Sequence, residues 1–351
     1  MHVYECTASS WEASYFLGKN LLRRENRQYV SIEEMVAMFL LIVGHNDRYC
    51  NVRHRFGRSH FTASRNFNKV LKALNIIAPQ RMVKPRGISP KISRTTRFYP
   101  YFKVCVGVID GTHISAMIKG RDVSSYRNRH GFNSQNVFAA CNFDLEFIYV
   151  LSGWEGSTHD SKLLNDALSR RNGVEVPQGK YYLVDCGFAN RHQFLSTIRK
   201  VKFYLKVFGG EGRHPRNANE LFNLCHSSLR NVIERIFGIF KSRFTIFKIA
   251  PPFPFQVQAE LVLACAGLHN FLRKECRSDE FPFEVVDDQS LDMEDADNHE
   301  SNIPSQQQQR TEANTWRANI ANSMWEDRPR NVVNEEYEED QYDESKEHNE
   351  Y

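Results

Sequence analysis

Three carboxylates fall where a chain could use them for chemistry. Asp110 ends the run VCVGVID, Asp185 ends YYLVD, and Glu234 lies within SSLRNVIERIFGIFKSRF. A lone carboxylate at the end of a buried apolar run is costly unless it is paired, hydrogen-bonded or bound to a cation. Hard divalent cations such as Mg2+ prefer such oxygen ligands to His or Cys. Two ions held about 3.5–4 Å apart can activate water or a 3′-hydroxyl and stabilise the leaving oxygen of a phosphodiester displacement. Each acid also has an ordinary reading. Asp110-Gly111 is a common hairpin signal. Glu234 can be a solvated residue paired with Arg230 one helical turn earlier.

The elements around these acids are legible in part. Val104 to Ile114 reads as a buried central strand, VCVGVID, followed by a second strand, HISAMI. SQNVFAACN and EFIYVLSGW read as further strands, and a helix follows from about Asp160, with His159 and Asp160 at its cap. YYLVD is a strand, HQFLSTIRK a helix and VKFYLKVF another strand. Asn217 to Glu220 caps a long helix from about Leu221 to Phe244. On its wheel Phe222, Cys225, Leu229, Val232, Ile233, Ile236, Phe237, Phe240 and Phe244 share a broad arc, and Glu234 is opposite with Arg230, Gly238 and Lys241 beside it. QVQAELVLACAGLHNFLRKE closes the folded body. Strand alternation points His113 away from the face of Asp110 and marks it as structural.

Charge is distributed unevenly along the 351 residues. From Asp279 onward 22 acids face 5 bases, a balance of −17, so the rest of the chain carries +21 and the sum is +4. A strongly basic body implies a polyanionic partner, most simply nucleic acid. The acidic tail is expected to be solvated, dispensable for folding, and to compete with phosphates for the body. No apolar run approaches the ~18–20 residues of a membrane span, and MHVYECTASSWEA does not read as a secretory signal. Eight cysteines are scattered without CxxC spacing, which points to a reducing compartment and no disulfide framework. Cys265 and His269, one turn apart, read as core rather than as zinc ligands.

Upstream, Ser31 to Glu34 is a capping box opening a buried helix to about Gly44. A short basic segment closes on Gly57, and Ser59 can cap HFTASRNFNKVLKALNII. Phe67, Val70, Leu71, Leu74 and Ile77 share one face of that helix; Thr62, Arg65, Lys69 and Lys72 share the other. Helix, Gly-containing turn and a helix with a basic outer face resemble a helix-turn-helix DNA reader. Arg127 and Arg129, in the loop GRDVSSYRNRHGFN, are further candidates for phosphate contact. The expected organisation is a helical, helix-turn-helix-like region over 1–78, a basic linker over 79–100, an α/β domain over 101–275, and an acidic, largely disordered tail over 276–351 with a short helix near 314–326.

Strands, a helix, a strand ending in Asp and a long helix carrying Glu follow the order of the RNase H-like fold. VGVIDGTHI, YRNRHGFNSQNVFAACNFDLEFIYVLSGWEGSTHDSKLL, YYLVDCGFAN and SSLRNVIERIFGIFKSRF strongly resemble the PIF/Harbinger-type DDE transposases and the domesticated nuclease-like proteins derived from them. The likeness covers about 31–275. It implies that Asp110, Asp185 and Glu234 are the catalytic, metal-holding triad. It also implies dependence on Mg2+ or Mn2+, DNA as substrate, a nuclear location with the cytoplasm as a second one, and, for active elements, a Myb-like partner protein. The function expected is metal-dependent DNA endonuclease; the alternative is a domesticated, non-cutting nuclear protein that binds DNA or chromatin. A generic RNA nuclease of the same fold is a third reading. Asp160 competes with Asp185 for the second acid but sits where a helix cap is wanted, so His159 and Asp160 are expected beside the metal rather than on it. Asn142 stands where relatives often carry Asp after Ala-Ala-Cys.

Overall fold

The structure, a computed structural model, describes residues 30–85, 87–201, 214–275 and 304–328, with side chains from 307 in the last stretch. Its main elements are α1 (Ile32–His45), α2 (Tyr49–Phe56), α3 (His60–Arg81), β1 (Cys105–Ser115), β2 (Ser134–Cys141), β3 (Phe147–Glu155), α4 (Asp160–Ser169), β4 (Tyr181–Val184), β5 (Phe194–Ser196), α5 (Ala218–Arg243), α6 (Phe255–Glu275) and α7 (Pro304–Glu326). The five strands form one mixed sheet in the order β3-β2-β1-β4-β5. The described residues divide into two compact units, 30–85 with 107–177 and 232–275, and 87–106 with 178–201, 214–231 and 304–328. Among them no helix is long and apolar enough to cross a membrane.

In the first unit, Ser31 caps α1 as expected, its Oγ accepting from the Glu34 amide at 3.2 Å. Gly57, at φ 62, ends α2 in the left-handed region that glycine tolerates best. Ser59 then caps α3 through the Thr62 amide at 3.1 Å. Arg58 in the turn grips Glu34 bidentately at 2.7 and 2.8 Å. The apolar face of α3 is buried, and Ala78 meets Gly267 of α6 so closely that a Cβ on Gly267 would lie 2.7 Å from the Ala78 side chain. Phe67 stacks between Phe39 at 5.1 Å and Phe253 at 5.2 Å.

β1 is one strand, not the two expected. It runs without a turn through Asp110-Gly111, and its antiparallel register with β2 pairs Asp110 with Ala139 and Gly111 with Phe138. Alternation then sorts the faces. Asp110, Thr112 and Ile114 share one face, where Thr112, Ile114, Val137 and Val150 meet Phe237 and Phe240 of α5 and Val262 and Ala266 of α6. Gly111, His113 and Ser115 share the other, the side of α4. Asn142 builds the β2–β3 turn, its Oδ1 accepting from Asp144 and Glu146 amides at 2.9 and 3.0 Å. A short amide side chain suits this turn without any catalytic duty.

The second unit departs further from expectation. Residues 87–106 carry a helical turn at Pro90–Ser93 and bury Ile92, Phe98 and Phe102, the last ring stacked on Phe222 at 6.1 Å. The helix expected over HQFLSTIRK is instead β5, parallel to β4, with Val184 opposite Ser196. Phe194, Leu195 and Ser196 are all buried, and three consecutive buried positions suit a short strand better than one helix face. The strand expected at VKFYLKVF lies outside the described residues beyond Val201. α5 opens on the expected cap, with Asn217 Oδ1 accepting from the Glu220 amide at 2.9 Å. The nine apolar residues assigned to its arc are all buried.

α7 contains the short helix expected near 314–326 and extends ten residues further toward the N-terminus. It runs from Pro304 to Glu326 and buries Ala313, Ala321 and Met324. Trp316 meets the buried Tyr181 ring edge-on at 5.0 Å, and the Tyr101 hydroxyl donates to Asp327 at 2.8 Å. A segment rich in charge and amide can still pack, because a few small or aromatic residues suffice to cover a strand edge.

Candidate active site

In the first unit Asp110 is half-buried near the middle of β1, and its Oδ1 accepts from the Gly111 amide at 2.8 Å. The continuous register excludes the hairpin reading of Asp-Gly. Two residues on, Thr112 Oγ1 accepts from Lys241 Nζ at 2.9 Å. Glu234, Gly238 and Lys241 follow one another at helical spacing, so this bond sets the α5 stripe that carries Glu234 on the sheet face of Asp110 and Thr112. Glu234 is exposed on that stripe and Gly238 is half-buried.

Asp160 lies on the opposite face. Its Oδ1 accepts from Asn136 Nδ2 at 3.2 Å, and Asn136 also donates to Thr158 O at 3.0 Å. A Cβ on Gly111 would stand 2.5 Å from Asp160 Oδ1, so the glycine makes room for this carboxylate. The cap position is His159, whose exposed side chain makes no capping bond; Asp160 is the first helical residue, where a carboxylate suits the helix dipole. His113, also on that face, sets Nδ1 3.1 Å from Ser134 Oγ, as the structural reading requires.

In the second unit Asp185 directly follows β4 and is half-buried. Its Oδ2 accepts from the Cys186 thiol at 3.7 Å. Burial, with the Asp185 charge beside it, raises the Cys186 thiol, and Arg199 and Arg230 oppose that rise. Arg199 donates to the Cys186 carbonyl at 3.2 and 2.8 Å. His226, fully buried on α5, donates from Nε2 to Leu195 O at 2.8 Å. Burial lowers its pKa to about 4; Arg230 and Arg317 push the same way, while Leu195 O and Asp185 oppose. The ring is therefore neutral near pH 7. Sequence reasoning missed His226, Cys186, Arg199 and Asn136. The first lies eight residues before Glu234 on the same helix, and the second adjoins Asp185, which are the signals that could have found them.

The expected basic face of α3 is less open than its wheel implies. Arg65 and Lys69 are half-buried, Lys72 is exposed, and Phe61 and Ile76 are 73 % and 58 % exposed. The Arg65 guanidinium lies 5.8 Å from the Phe61 ring centre. Arg127 and Arg129 are both exposed, on a loop ordered by Asn128, whose Oδ1 accepts from the His130 and Phe132 amides at 3.0 and 3.3 Å. Arg127 Nε also donates to Gly131 O at 3.0 Å.

As donors the three acids suit a hard divalent cation: all are carboxylates and all retain some access to water. Among the described residues, however, no three His, Cys, Asp or Glu side chains are gathered closely enough to hold a metal ion. Cys265 and His269 are buried core residues, the latter bonded to Arg243 and Leu145 O at 3.0 and 2.9 Å.

Residues 109–270 match the DDE superfamily endonuclease family, a span that contains Asp110, Asp185 and Glu234. Residues 14–76 match a domain of unknown function, DUF8040. The human protein named "Putative nuclease HARBI1" is 26% identical over 261 residues, 72% of this chain and 71% of that protein. Its cattle and rat counterparts are each 25% identical over the same shares. No solved structure matches the chain. Over residues 109–270 the chain is thus similar to the DDE superfamily endonucleases, and over 72% of its length to the human protein of that putative-nuclease name.

Proposed function

We propose that this protein is a divalent-metal-dependent DNA endonuclease with Asp110, Asp185 and Glu234 as its acids, on an RNase H-like fold. The observation that carries the reading is the Lys241–Thr112 bond, which sets the Glu234 stripe of α5 on the Asp110 face of β1. The mixed sheet, three antiparallel strands followed by a parallel pair, supports the fold. Mg2+ or Mn2+ would be held by the three carboxylates and, when bound, would supply Lewis-acid polarisation of the phosphodiester and ease deprotonation of the attacking oxygen. The chain's own part is to orient and to attract. Lys241 anchors the helix to the strand, and the basic body draws the polyanion. Arg127 and Arg129 contact phosphates; α2, the Gly57 turn and α3 act as the helix-turn-helix-like reader, with Arg65, Lys69 and Lys72 on the backbone. Asp160 supports β1 from behind Asp110, on the opposite face, through the space that Gly111 leaves for it, and His159 opens the helix that carries it. The protein works in the nucleus, with a Myb-like partner helping to bring it to DNA.

A second reading, a non-cutting nuclear DNA- or chromatin-binding protein, is favoured by one observation: the basic body, +21 before residue 279, attracts a polyanion whether or not the acids cut. A nicking assay on short DNA ends, beside a thermal-shift titration with Mg2+ and Mn2+, separates the two. Under the enzyme reading, Asp110→Asn, Asp185→Asn and Glu234→Gln each abolish cleavage and weaken the metal-induced shift, while DNA binding persists. A wild type that shows neither shift nor cleavage with its DNA-binding partner supplied removes the enzyme reading.

A further inference from the structure

Among the described residues β5 is the last strand of the sheet, and it has only three residues. A strand that short cannot hold itself in register on ladder bonds alone, and its outer edge needs a cover. α7 supplies one, and its contacts gather at a single place. Arg317 Nη1 lies 3.1 Å from Ser196 O, 3.1 Å from Ser196 Oγ and 2.8 Å from Thr197 O. Its Nη2 donates to Asn314 Oδ1 at 3.1 Å. The same Oδ1 accepts from Asn190 Nδ2 at 3.0 Å, and Asn190 Oδ1 accepts from the Ser196 amide at 3.2 Å. Ser196 is paired across the ladder with Val184, the residue directly before Asp185. The ring of Trp316 meanwhile packs on Tyr181 at 5.0 Å, at the start of the same strand.

We infer that α7 is a strap that positions Asp185, with Arg317 as the positioning residue; the role rests on the reading of Asp185 as a catalytic acid. Arg317 does not meet the substrate. It fixes the C-terminal end of β5, which fixes the end of β4 and so the carboxylate that follows. A carboxylate displaced by about 1 Å from its working position can cost on the order of 100-fold in rate. A planar guanidinium suits the task, because the two hydrogens of Nη1 are shared among Ser196 O, Ser196 Oγ and Thr197 O while Nη2 holds Asn314 in the same plane. Half-burial of this cation, beside Arg199 and Arg310, lowers its pKa, a penalty the chain tolerates in exchange for those bonds.

The test uses the full chain with Arg317→Leu, Arg317→Lys and, as reference, Asp185→Asn. Cys186 is a local reporter, since its thiol touches the Asp185 carboxylate. Arg317→Leu should raise the alkylation rate of Cys186 several-fold, raise the Mn2+ concentration at half-maximal thermal shift, and lower kcat for nicking about 10-fold with KM for DNA unchanged. Arg317→Lys should recover part of each loss. Asp185→Asn should abolish nicking. A folded Arg317→Leu protein with wild-type Cys186 reactivity and Mn2+ midpoint overturns the strap, as does Arg317→Lys behaving no better than Leu. Should Arg317→Leu fail to fold, Arg317→Lys and Asn314→Ala are read against wild type by the same criteria. Failure of the nuclease reading appears separately, as a wild type that never nicks, and Cys186 labelling then decides the strap alone.

Discussion

Among the described residues each unit holds one fully buried histidine that donates from Nε2 to a backbone carbonyl, and the two differ at the other nitrogen. In the first unit His269 Nε2 meets Leu145 O at 2.9 Å and Nδ1 accepts from Arg243 at 3.0 Å. In the second, His226 Nε2 meets Leu195 O at 2.8 Å, while Nδ1 is buried with no hydrogen-bond partner among the described residues. The first ring also packs edge-on against Phe147 at 5.3 Å, whose amide and carbonyl are both held by Asn270 at 2.8 Å. The second leaves an acceptor unmet within electrostatic reach of Asp185 and Arg230. An unmet buried acceptor costs about 1–3 kcal/mol. The closed histidine thus secures packing, and the open one marks a place where local stability is given up beside a candidate catalytic acid.

The largest test of this contrast is removal of α7. Truncation after Cys276 strips the cover from Tyr181, Ser196 and Thr197 and deletes buried Ala313, Ala321 and Met324. Losing the buried Met324 side chain alone costs about 2–5 kcal/mol. Hydrogen exchange should therefore rise steeply over 178–201 and remain near wild type over 107–155. Uniform exchange in both units would erase the contrast.

Acid should separate the histidines next. Both pKa values are lowered mainly by burial, to about 4 for His226 and about 3 for His269. The unfolded rings, near 6.5, bind protons before the folded ones do. Their contribution to stability is thus complete above pH 6.5 and is lost as pH falls through the folded values. Each should cost about 2 kcal/mol by pH 5. The His269 loss continues to lower pH, because the Arg243 charge also disfavours its protonation. Stability measured against pH for His226→Asn and His269→Asn should flatten by one histidine each. A wild-type curve that is flat from pH 7 to 5 would refute both.

The two units were also unequally legible. Helices α1, α3, α5 and α6 announce themselves by period and caps, and the wheel of α5 isolates Glu234 correctly because nine apolar residues fix its phase. The hairpins of β2 and β3 read equally well. In the second unit the information is non-local. Arg317 and Ser196 are 121 residues apart, and α7 buries too little apolar surface to betray a packed face. HQFLSTIRK mixes Phe, Leu and Ile with polar residues in a way compatible with either period, and only the pairing of β5 with β4 resolves it. Similarly, splitting β1 at Asp110-Gly111 followed turn chemistry, whereas the glycine is there for the Asp160 carboxylate.

That glycine provides a smaller test within the first unit. Gly111→Ala forces its Cβ against Asp160 Oδ1 and should cost about 1–3 kcal/mol by overpacking. Adding Asp160→Ala should restore part of the loss, since the offending atom is then gone. Non-additivity in denaturant unfolding checks the pair. If Gly111→Ala is neutral on its own, the carboxylate is free to move and the close approach has no structural weight.

The smallest effect on stability, and the one most specific to function, concerns α3. Phe61, Arg65, Lys69, Lys72 and Ile76 form a stripe at helical spacing, cations between two exposed apolar ends. Exchanging its cations for Gln should change stability by less than about 0.5 kcal/mol each, the usual range for surface positions. If the stripe lies along a DNA backbone, the same exchanges should weaken binding at low salt and flatten the slope of log K against log salt by up to about one unit per lost phosphate contact. Burial within the stripe supplies an internal control. Lys72 is exposed and Arg65 and Lys69 are half-buried, so Lys72→Gln tests charge alone, while Arg65→Gln also disturbs the cation held near Phe61. Phosphate contact by all three gives a graded loss of slope in the single, double and triple variants. A slope that drops only with Lys72 reduces the reader to one contact. An unchanged slope in the folded triple variant leaves α3 as a packing helix, and the polyanion must then be met by the loop of Arg127 and Arg129 instead.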